Sequence, residues 1–436
     1  MSKSNYTKGW TVTLAGTGIN LGLGVLYSWS VISKELQKVW HWTASDASLP
    51  YCIACSVFAL VMVFAGRAQD KIGPRKVASL GGLCAGAGLI ISSLASAENI
   101  LPVIIGFGLL IGAGMGLGYA STTPPAVKWF PPYKKGLITG IVVGGFGLAS
   151  VYISPLTNSL LQSMGIKNTF LTLGIVFLVG IILLAQLLQN PPNGYVPAGM
   201  PPVNSPNHRA AKRDYDWNEM LKTPQFYLLW IMFAGGSFAG LMIIAHMARI
   251  ATQQLPSINL GFILVALLAI GNAGGRIMAG LISDKLGRTQ TMFLVYIGQA
   301  IVMLFFSYFT TIPLLILGSI LVGAFYGANL SLFPSTTADY YGTKNLGVNY
   351  GLVFTSWGVG GAFGGIVAGK IFDATQSYNM AFMIALIICL IAAALTFFTK
   401  APETETSVGV RTVTLDQQMG LSMTDGGNRI DNGKKA

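Results

Sequence analysis

The chain has 436 residues, of which only 10% are charged and 53% are hydrophobic. Soluble domains usually carry about 25% charged residues, so this composition excludes a water-soluble globular protein and requires a lipid environment. The formal net charge of +12 is distributed over several loops and not held in one block, which argues against a nucleic-acid partner.

Apolar stretches long enough to cross a hydrocarbon core of about 30 Å recur along the chain. Six predicted spans precede a polar central segment, at residues 10–32, 47–66, 77–95, 101–121, 136–159 and 169–189. Six more follow it, at residues 225–248, 258–282, 290–308, 312–334, 347–371 and 379–399. The pattern therefore predicts an all-α integral membrane protein with six transmembrane helices on each side of the central segment.

Composition divides the chain into four predicted parts. Residues 1–190 form an N-terminal six-helix half, 191–222 a cytoplasmic central loop, and 223–400 a C-terminal six-helix half. Residues 401–436 are polar and rich in Gly, Thr and Asp, which predicts a disordered cytoplasmic tail. Lys and Arg gather in alternate loops, among them the central loop. Because such loops stay on the cytoplasmic side of a membrane, both termini are predicted to be cytoplasmic.

A short polar sequence occurs once in each half. Residues 66–75 join the second and third spans, and residues 280–288 join the eighth and ninth; Asp70 and Asp284 are 214 positions apart (284 minus 70). Such a repeat predicts two pseudo-symmetric halves with a substrate site between them near the bilayer midplane. Aspartate near a helix end can cap a helix or pair with a cation. The residues predicted to latch the cytoplasmic face are Asp70, Arg75, Asp284 and Arg288.

Arg276 is the most informative residue, because an ionised side chain at the bilayer centre costs roughly 2.5 to 3.5 kcal/mol on insertion scales. It lies in the eighth span and follows Asn272 by one helical turn, so both side chains face the same way. No acidic residue lies deep in a predicted span, and a planar guanidinium suits a carboxylate from solution. The alternative is that Arg276 extends to the cytoplasmic side or binds helix carbonyls.

Polar and aromatic residues in other spans are further candidates. His246, toward the outer end of the seventh span, is a proton acceptor, a neutral donor to substrate, or a plain polar residue near the interface. Five aromatic side chains are equally compatible with substrate contact and with core packing: Tyr27, Tyr119, Phe146, Tyr326 and Phe354.

The sequence shows few features of a cofactor site or a catalytic site. Cys52 and Cys55 have CxxC spacing but lie in an apolar span without a second pair or a histidine nearby, so neither a metal nor a cofactor is predicted. No span combines a nucleophile with a base, or carries an acidic pair. The chain is therefore not expected to be an enzyme.

Seven short motifs, together with the repeated loop, resemble a known family. They are GVLYSW at 24–29, GMGLGY at 114–119, KWFP at 128–131, MLKTPQF at 220–226, NAGGR at 272–276, LFPS at 332–335 and NYG at 349–351. The repeated loop is similar to that of the major facilitator superfamily. The motifs resemble the oxalate:formate antiporter family and its bacterial lactate-transporting members, which are similar to animal monocarboxylate transporters. The resemblance covers about residues 8–400 and implies a bacterial plasma (inner) membrane location.

The resemblance carries specific roles onto this sequence. It implies that Arg276 is the substrate-binding arginine, and it points to Asn272 and His246. The cavity aromatics that it implies are Tyr27, Tyr119, Phe146, Tyr326 and Phe354. Trp357 stands where the oxalate exchanger has a second cation, a lysine, and Leu26 stands where that protein has a glutamine. One fixed charge and a more apolar wall favour a monocarboxylate, because a second carboxylate would be uncompensated in low dielectric.

These inferences predict an alternating-access transporter of small monocarboxylates such as lactate or pyruvate, with proton symport. Arg276 would hold the carboxylate, Leu26 would pack on the carbon chain, and His246 would be the candidate proton carrier. Two alternatives stay open: exchange of oxalate, formate or other carboxylates without net proton movement, and a transporter-like anion sensor. The expected partners are the monocarboxylate, H+ and membrane lipid, and the expected state is a monomer.

Overall fold

The fold is that of a helical membrane protein. A computed structural model describes residues 3–192, 194–197, 213–256 and 261–402. In these ranges the regular secondary structure is helical, apart from an isolated bridge between Ser96 and Asn99. The chain up to Lys400 forms one compact unit. Most of the predicted central loop and residues 403–436 of the predicted tail lie outside the described residues.

Seven α-helices cover the six spans predicted for the first half. They are α1 (Lys3–Leu23), α2 (Trp29–Trp40), α3 (Ala44–Ile72), α4 (Pro74–Ser92), α5 (Leu101–Val103), α6 (Gly112–Lys128) and α7 (Lys135–Ala185). A 3₁₀ segment, Gly24–Ser28, joins α1 to α2, and a π-helical segment, Ile104–Ile111, joins α5 to α6. The fifth and sixth predicted spans both lie in α7, which breaks between them at Gly165 with φ of 76°, a backbone conformation that favours glycine.

Seven more helices form the second half. They are α8 (Trp217–Met220), α9 (Pro224–Gln254), α10 (Gly261–Leu286), α11 (Arg288–Phe305), α12 (Ile312–Tyr341), α13 (Leu346–Thr375) and α14 (Asn379–Leu395). Each of α9 to α14 coincides with one predicted span. Across the described ranges, nine helical stretches are long and apolar enough to cross a membrane, and Pro132–Ala185 among them holds two predicted spans. The first and third predicted spans are helical but are not among those nine.

Two pairs of helices join the halves, because α3 packs on α13 and α7 packs on α10. Glycines face each other where each pair crosses: Gly66 opposes Gly347, and Gly136 opposes Gly280. A Cβ atom at any of these four positions would collide with the opposite backbone. Backbones that approach this closely give extensive van der Waals contact, which is a main source of helix association in lipid.

A short part of the central loop docks beside the start of α13. The backbone N–H of Tyr215 donates to the Tyr341 carbonyl at 2.9 Å, and the side chains of Asn345 and Asn349 donate to the Tyr215 carbonyl, each at 3.1 Å. Asp216 and Glu219 form a capping box that begins α8. The loop therefore holds the first turn of α13 in place.

Two adjacent glycines of α10 allow a sharp test of this packing. A Cβ at Gly275 would collide with the Ala324 carbonyl of α12, whereas a Cβ at Gly274 would meet nothing within 4 Å. Overpacking a tight contact costs about 1–3 kcal/mol. We therefore expect Gly275→Ala to lower the thermal unfolding midpoint in detergent by several degrees, while Gly274→Ala leaves it unchanged or raises it. Equal midpoints for the two variants would contradict this packing.

Candidate functional site

Arg276 lies in the interior of the helix bundle, where α10 meets α7. Its side chain is 1% exposed. Nε donates to Asn272 Oδ1 at 3.0 Å, and Nη1 donates to the Val143 carbonyl of α7. The one-turn spacing places Asn272 on the same face of α10, where its amide oxygen orients the guanidinium. Arg276 thus belongs to the second half of the chain and also bonds to the first.

Glycines on α7 make room for this arginine. A Cβ at Gly140 would collide with the Arg276 carbonyl, and a Cβ at Gly147 would lie 3.2 Å from Arg276 Nε. Larger residues at these positions would push α7 away from α10. The Gly-rich sequence of α7 therefore brings the Val143 carbonyl within reach of the guanidinium.

The charge of Arg276 has no carboxylate partner among the residues that the structure describes. The sequence left two alternatives to substrate binding: a bond to helix carbonyls and extension to the cytoplasmic side. The first is seen in part, since Nη1 binds the Val143 carbonyl. The second is not seen, because the side chain stays buried. A guanidinium has five N–H donors; the two bonds above use two of them, and the Tyr27 hydroxyl occupies a third. The remaining donors are suited to an anion.

Three tyrosines surround the guanidinium. The Tyr27 hydroxyl lies beside both Arg276 and Asn272, and Tyr119 and Tyr326 also lie within electrostatic range of Arg276. Tyr119 is buried beside Tyr350, and neither hydroxyl makes a well-formed hydrogen bond in the described part of the chain. A buried hydroxyl without a partner is unfavourable by about 1–3 kcal/mol. A ligand oxygen that accepted this hydrogen bond would remove the penalty.

An aromatic cluster adjoins these polar groups. Phe58 of α3 is in its middle, with ring centroids 5.3 Å from Phe354, 5.7 Å from Tyr119 and 6.0 Å from Phe146. Tyr27 contacts Phe146 at 5.5 Å. The five aromatics singled out in the sequence therefore come together: Tyr27, Tyr119 and Phe146 from the first half, and Tyr326 and Phe354 from the second. Leu26 is 3% exposed and packs in the same hydrophobic core.

The structure adds three residues to the predicted site, and it gives the contacts of a fourth, Trp357, which the family resemblance placed in the apolar wall. Phe58 is one, and nothing in its span distinguishes it from other apolar aromatics. Trp357 stacks on Phe354 at 5.1 Å and donates to the Tyr326 hydroxyl at 2.8 Å. Tyr350 lies next to Tyr119 and Phe354, and its place in the NYG motif at 349–351 was an available signal. Tyr51 lies near Tyr27 and Tyr326.

His246 makes its contacts elsewhere, within the second half. Its Nε2 lies 3.0 Å from the Gly365 carbonyl of α13, and its Nδ1 lies 3.2 Å from the Tyr378 hydroxyl. A carbonyl only accepts, so Nε2 carries the proton, and Nδ1 accepts from Tyr378 in the neutral ring. Burial raises the pKa of the Tyr378 phenol, which keeps it a donor. Both ring nitrogens are thus occupied by partners outside the Arg276 cluster.

Asp70 and Asp284 occupy equivalent positions between the halves. The Asp70 carboxylate accepts the backbone N–H groups of Gly347 and Val348 at 3.2 and 3.0 Å, at the start of α13. The Asp284 carboxylate accepts those of Gly136 and Leu137 at 2.9 and 2.8 Å, at the start of α7. An anion at a helix N-terminus is stabilised by unpaired N–H groups and by the helix dipole. Each aspartate therefore ties its own half to the opposite one.

The basic residues of the predicted latch behave differently from each other. Arg288 is buried and pairs with Asp284 at 2.9 Å and with Asp339 at 2.7 Å. Asp339 also pairs with Lys135 of the first half, at 3.1 Å. Arg75, in contrast, is exposed and has no ion pair in the described ranges. The structural counterpart of Arg288 is Pro74 (288 minus 214), which explains why Arg75 stands outside the contact.

Metal chemistry has no visible site in this arrangement. Among the described residues, no group of three or more His, Cys, Asp or Glu side chains is placed to hold a metal ion. The functional candidates are therefore the cationic and aromatic cluster at the centre and the two aspartate contacts at one end of the bundle.

Comparison with known proteins gives consistent matches along the chain. The family model of the Major Facilitator Superfamily matches residues 11–309 and 250–418. The chain is 30% identical over 378 residues to the oxalate:formate antiporter of Oxalobacter formigenes, covering 86% of this chain and 87% of that protein. It is 24% identical over 326 residues to monocarboxylate transporter 12 of Xenopus laevis, covering 70% of each. The crystal structure of the transporter FucP in the outward conformation has the same fold, with a TM-score of 0.69 at 14% identity, covering 89% of this chain and 99% of FucP.

The aspartate contacts predict how this end of the bundle responds to mutation. Asp70→Asn removes the charge and one acceptor oxygen, and hydrogen bonds to charged groups contribute about 1.5–3 kcal/mol. We expect the variant to increase, at least about tenfold, the ratio of molecules whose halves are separated at this end to molecules whose halves are in contact. Lys76 and Lys344 are exposed and lie on opposite halves. Spin labels attached at these two positions in a cysteine-free background would show a longer label-to-label distance by pulsed electron paramagnetic resonance.

The matched control for that measurement is Lys71→Gln, which changes the exposed neighbouring charge without touching the helix N-terminus. It is expected to leave the label distance unchanged. An unchanged distance in Asp70→Asn would contradict the latch.

Proposed function

The chain belongs to the Major Facilitator Superfamily, and we propose that it carries small monocarboxylates of the lactate and pyruvate type across the membrane by alternating access. The family match and the structural match confirm the family and the fold predicted from the sequence. The chain is therefore a multi-pass membrane transporter of a small molecule. The identity of that molecule, the coupling ion, the inner-membrane location, the cytoplasmic termini and the monomeric state are parts of the proposal.

The single observation that supports this substrate class is the buried, carboxylate-free environment of Arg276. A cation with unused donors in low dielectric binds an anion strongly, and a guanidinium matches the two oxygens of a carboxylate. Tyr27, Tyr119 and Tyr326 stand around it as further donors. One carboxylate neutralises the one fixed charge in the cluster.

The aromatic cluster supports a small organic tail on that carboxylate. Phe58, Phe146 and Phe354 pack against Tyr119, one of the tyrosines near the guanidinium, and Trp357 lies 5.6 Å from Phe58. A second carboxylate placed against these rings would be desolvated without a counter-charge, which is costly. A methyl or short alkyl group would instead gain burial.

The movement of substrate in this proposal uses the contacts between the halves. With the Asp70 and Asp284 contacts made, their end of the bundle is closed. Breaking them would let the halves rock about the central cluster and open that end. Arg276 bonds to the Val143 carbonyl of the opposite half, so a bound carboxylate would compete with a contact between the halves and thereby link binding to rocking.

Uptake of labelled L-lactate into proteoliposomes tests the proposal directly. We expect an inward proton gradient to stimulate uptake, excess pyruvate to suppress it and oxalate not to. Arg276→Lys keeps the charge but loses the planar fork, and one lost hydrogen bond to a charged group costs about 1.5–3 kcal/mol. The variant should therefore take up lactate at least about tenfold more slowly.

Arg75→Lys is the matched control for that variant, because Arg75 is exposed and makes no ion pair in the described ranges. It is expected to transport within about twofold of the unmodified protein, as is usual for an exposed surface residue. Normal lactate uptake by Arg276→Lys would show that Arg276 is not the anion site.

Carboxylate exchange is the second candidate, favoured by the 30% identity to an oxalate:formate antiporter. The two functions differ in one observable. An exchanger moves labelled oxalate or formate only into vesicles preloaded with substrate, whereas a symporter fills empty vesicles when a proton gradient is imposed. Brisk exchange without gradient-driven lactate uptake would establish the second candidate.

His246 is tested separately as the candidate proton carrier. Because both its ring nitrogens are engaged by Gly365 and Tyr378, we expect His246→Gln to retain gradient-stimulated uptake within about twofold, as a conservative change at a packing contact. The measurement compares gradient-driven uptake with exchange at equal pH. A variant that still exchanges but no longer responds to the gradient would instead assign proton coupling to His246.

A further inference from the structure

Trp357 and Tyr326 are joined by a hydrogen bond inside the central cluster. The indole Nε1–H of Trp357 donates to the Tyr326 hydroxyl oxygen at 2.8 Å, and the two residues are 9% and 2% exposed. An indole N–H can only donate, so the Tyr326 oxygen is necessarily the acceptor. The proton of the Tyr326 hydroxyl is left to donate to a different group.

Packing fixes both partners of this bond. A Cβ at Gly240 of α9 would collide with the Tyr326 ring, so that ring lies directly on the α9 backbone. The Trp357 indole is stacked on Phe354 with an interplanar angle of 18°. These contacts hold both rings against their neighbours, so the Tyr326 oxygen accepts from Trp357 before any ligand arrives.

The other polar groups near Tyr326 do not offer it a charged acceptor. Its electrostatic neighbours are Trp357, Arg276 and four tyrosines, Tyr27, Tyr51, Tyr119 and Tyr350. Arg276 has donors only, and no hydrogen bond in which Tyr326 donates is found in the part of the chain that the structure describes. An incoming carboxylate oxygen would accept from Tyr326 and Arg276 together.

We propose that Trp357 is a positioning residue that makes Tyr326 a hydrogen-bond donor, and that the site thereby selects an ionised carboxylate over a neutral amide of the same shape. This inference rests on the proposed function, because it concerns the same anion site. Lactamide is the discriminating probe: it matches lactate in size, but its NH₂ group would face donors and leave them unpaired.

The test uses Trp357→Phe, which keeps an aromatic ring against Phe354 and Phe58 and removes the N–H donor together with part of the indole. With that bond gone, the Tyr326 hydroxyl is free to rotate and to accept. We expect the KM for lactate to rise about fivefold to tenfold, the size of one lost hydrogen bond, with the maximal rate within about twofold. Inhibition by lactamide relative to lactate should strengthen.

Trp230→Phe is the matched control. Trp230 Nε1 donates to the Thr355 hydroxyl at 2.9 Å, so this variant loses the same kind of bond between α9 and α13, outside the cluster. Its KM and its lactate-to-lactamide selectivity should be unchanged. Thermal unfolding midpoints of both variants show whether the fold is retained.

Tyr326→Phe tests the same bond from its other partner and keeps the proposal falsifiable if Trp357→Phe unfolds. This variant should raise the KM for lactate and weaken selectivity, and Trp357→Phe added to it should have no further effect on either. An equal loss from Trp357→Phe in the presence and absence of the Tyr326 hydroxyl would overturn the positioning role. Absence of carboxylate transport by the unmodified protein would instead overturn the proposed function, so the two failures are distinguishable.

Discussion

The buried positive charge of Arg276 is the constraint on which the central arrangement depends. A charge at this depth is unfavourable unless it is solvated by fixed dipoles. Here the Asn272 amide oxygen and the Val143 carbonyl supply those dipoles. The glycines of α7 let the second dipole come close enough. The same close packing of α7 on α10 therefore both solvates the charge and joins the two halves.

The aromatic residues around the charge follow from the same constraint. Rings exclude water and lower the local dielectric, which strengthens the attraction between a guanidinium and an anion. They come from both halves, with Phe58 and Phe146 on one side and Phe354 and Trp357 on the other. A site assembled from two halves in this way is complete only when they meet, which suits a transporter that exposes it to each side in turn.

The two aspartate contacts show how a duplicated sequence can diverge. Both copies keep the aspartate and a helix N-terminus to receive it. Only the second copy has a buried arginine, Arg288, which connects Asp284 to Asp339 and Lys135. The first has Pro74 in that position, and its partner helix α13 is held by the docked central loop. A buried charge network is strongly destabilised by the loss of one member, so the two contacts should differ in sensitivity to mutation.

The sequence by itself determined the membrane class, the helical architecture, the duplication and the family, because hydropathy and local motifs are properties of consecutive residues. It also singled out Arg276 and Asn272, since a charge in an apolar span is conspicuous and one-turn spacing sets a common face. Only the tertiary structure decided that Phe58 and Tyr350 join the cluster, that Trp357 donates to Tyr326 and that His246 faces Gly365 and Tyr378. It also decided that Lys135 and Asp339 reinforce the latch while Arg75 does not. These pairings link residues far apart in the chain, and they depend on helix rotation and depth, which a linear pattern does not encode.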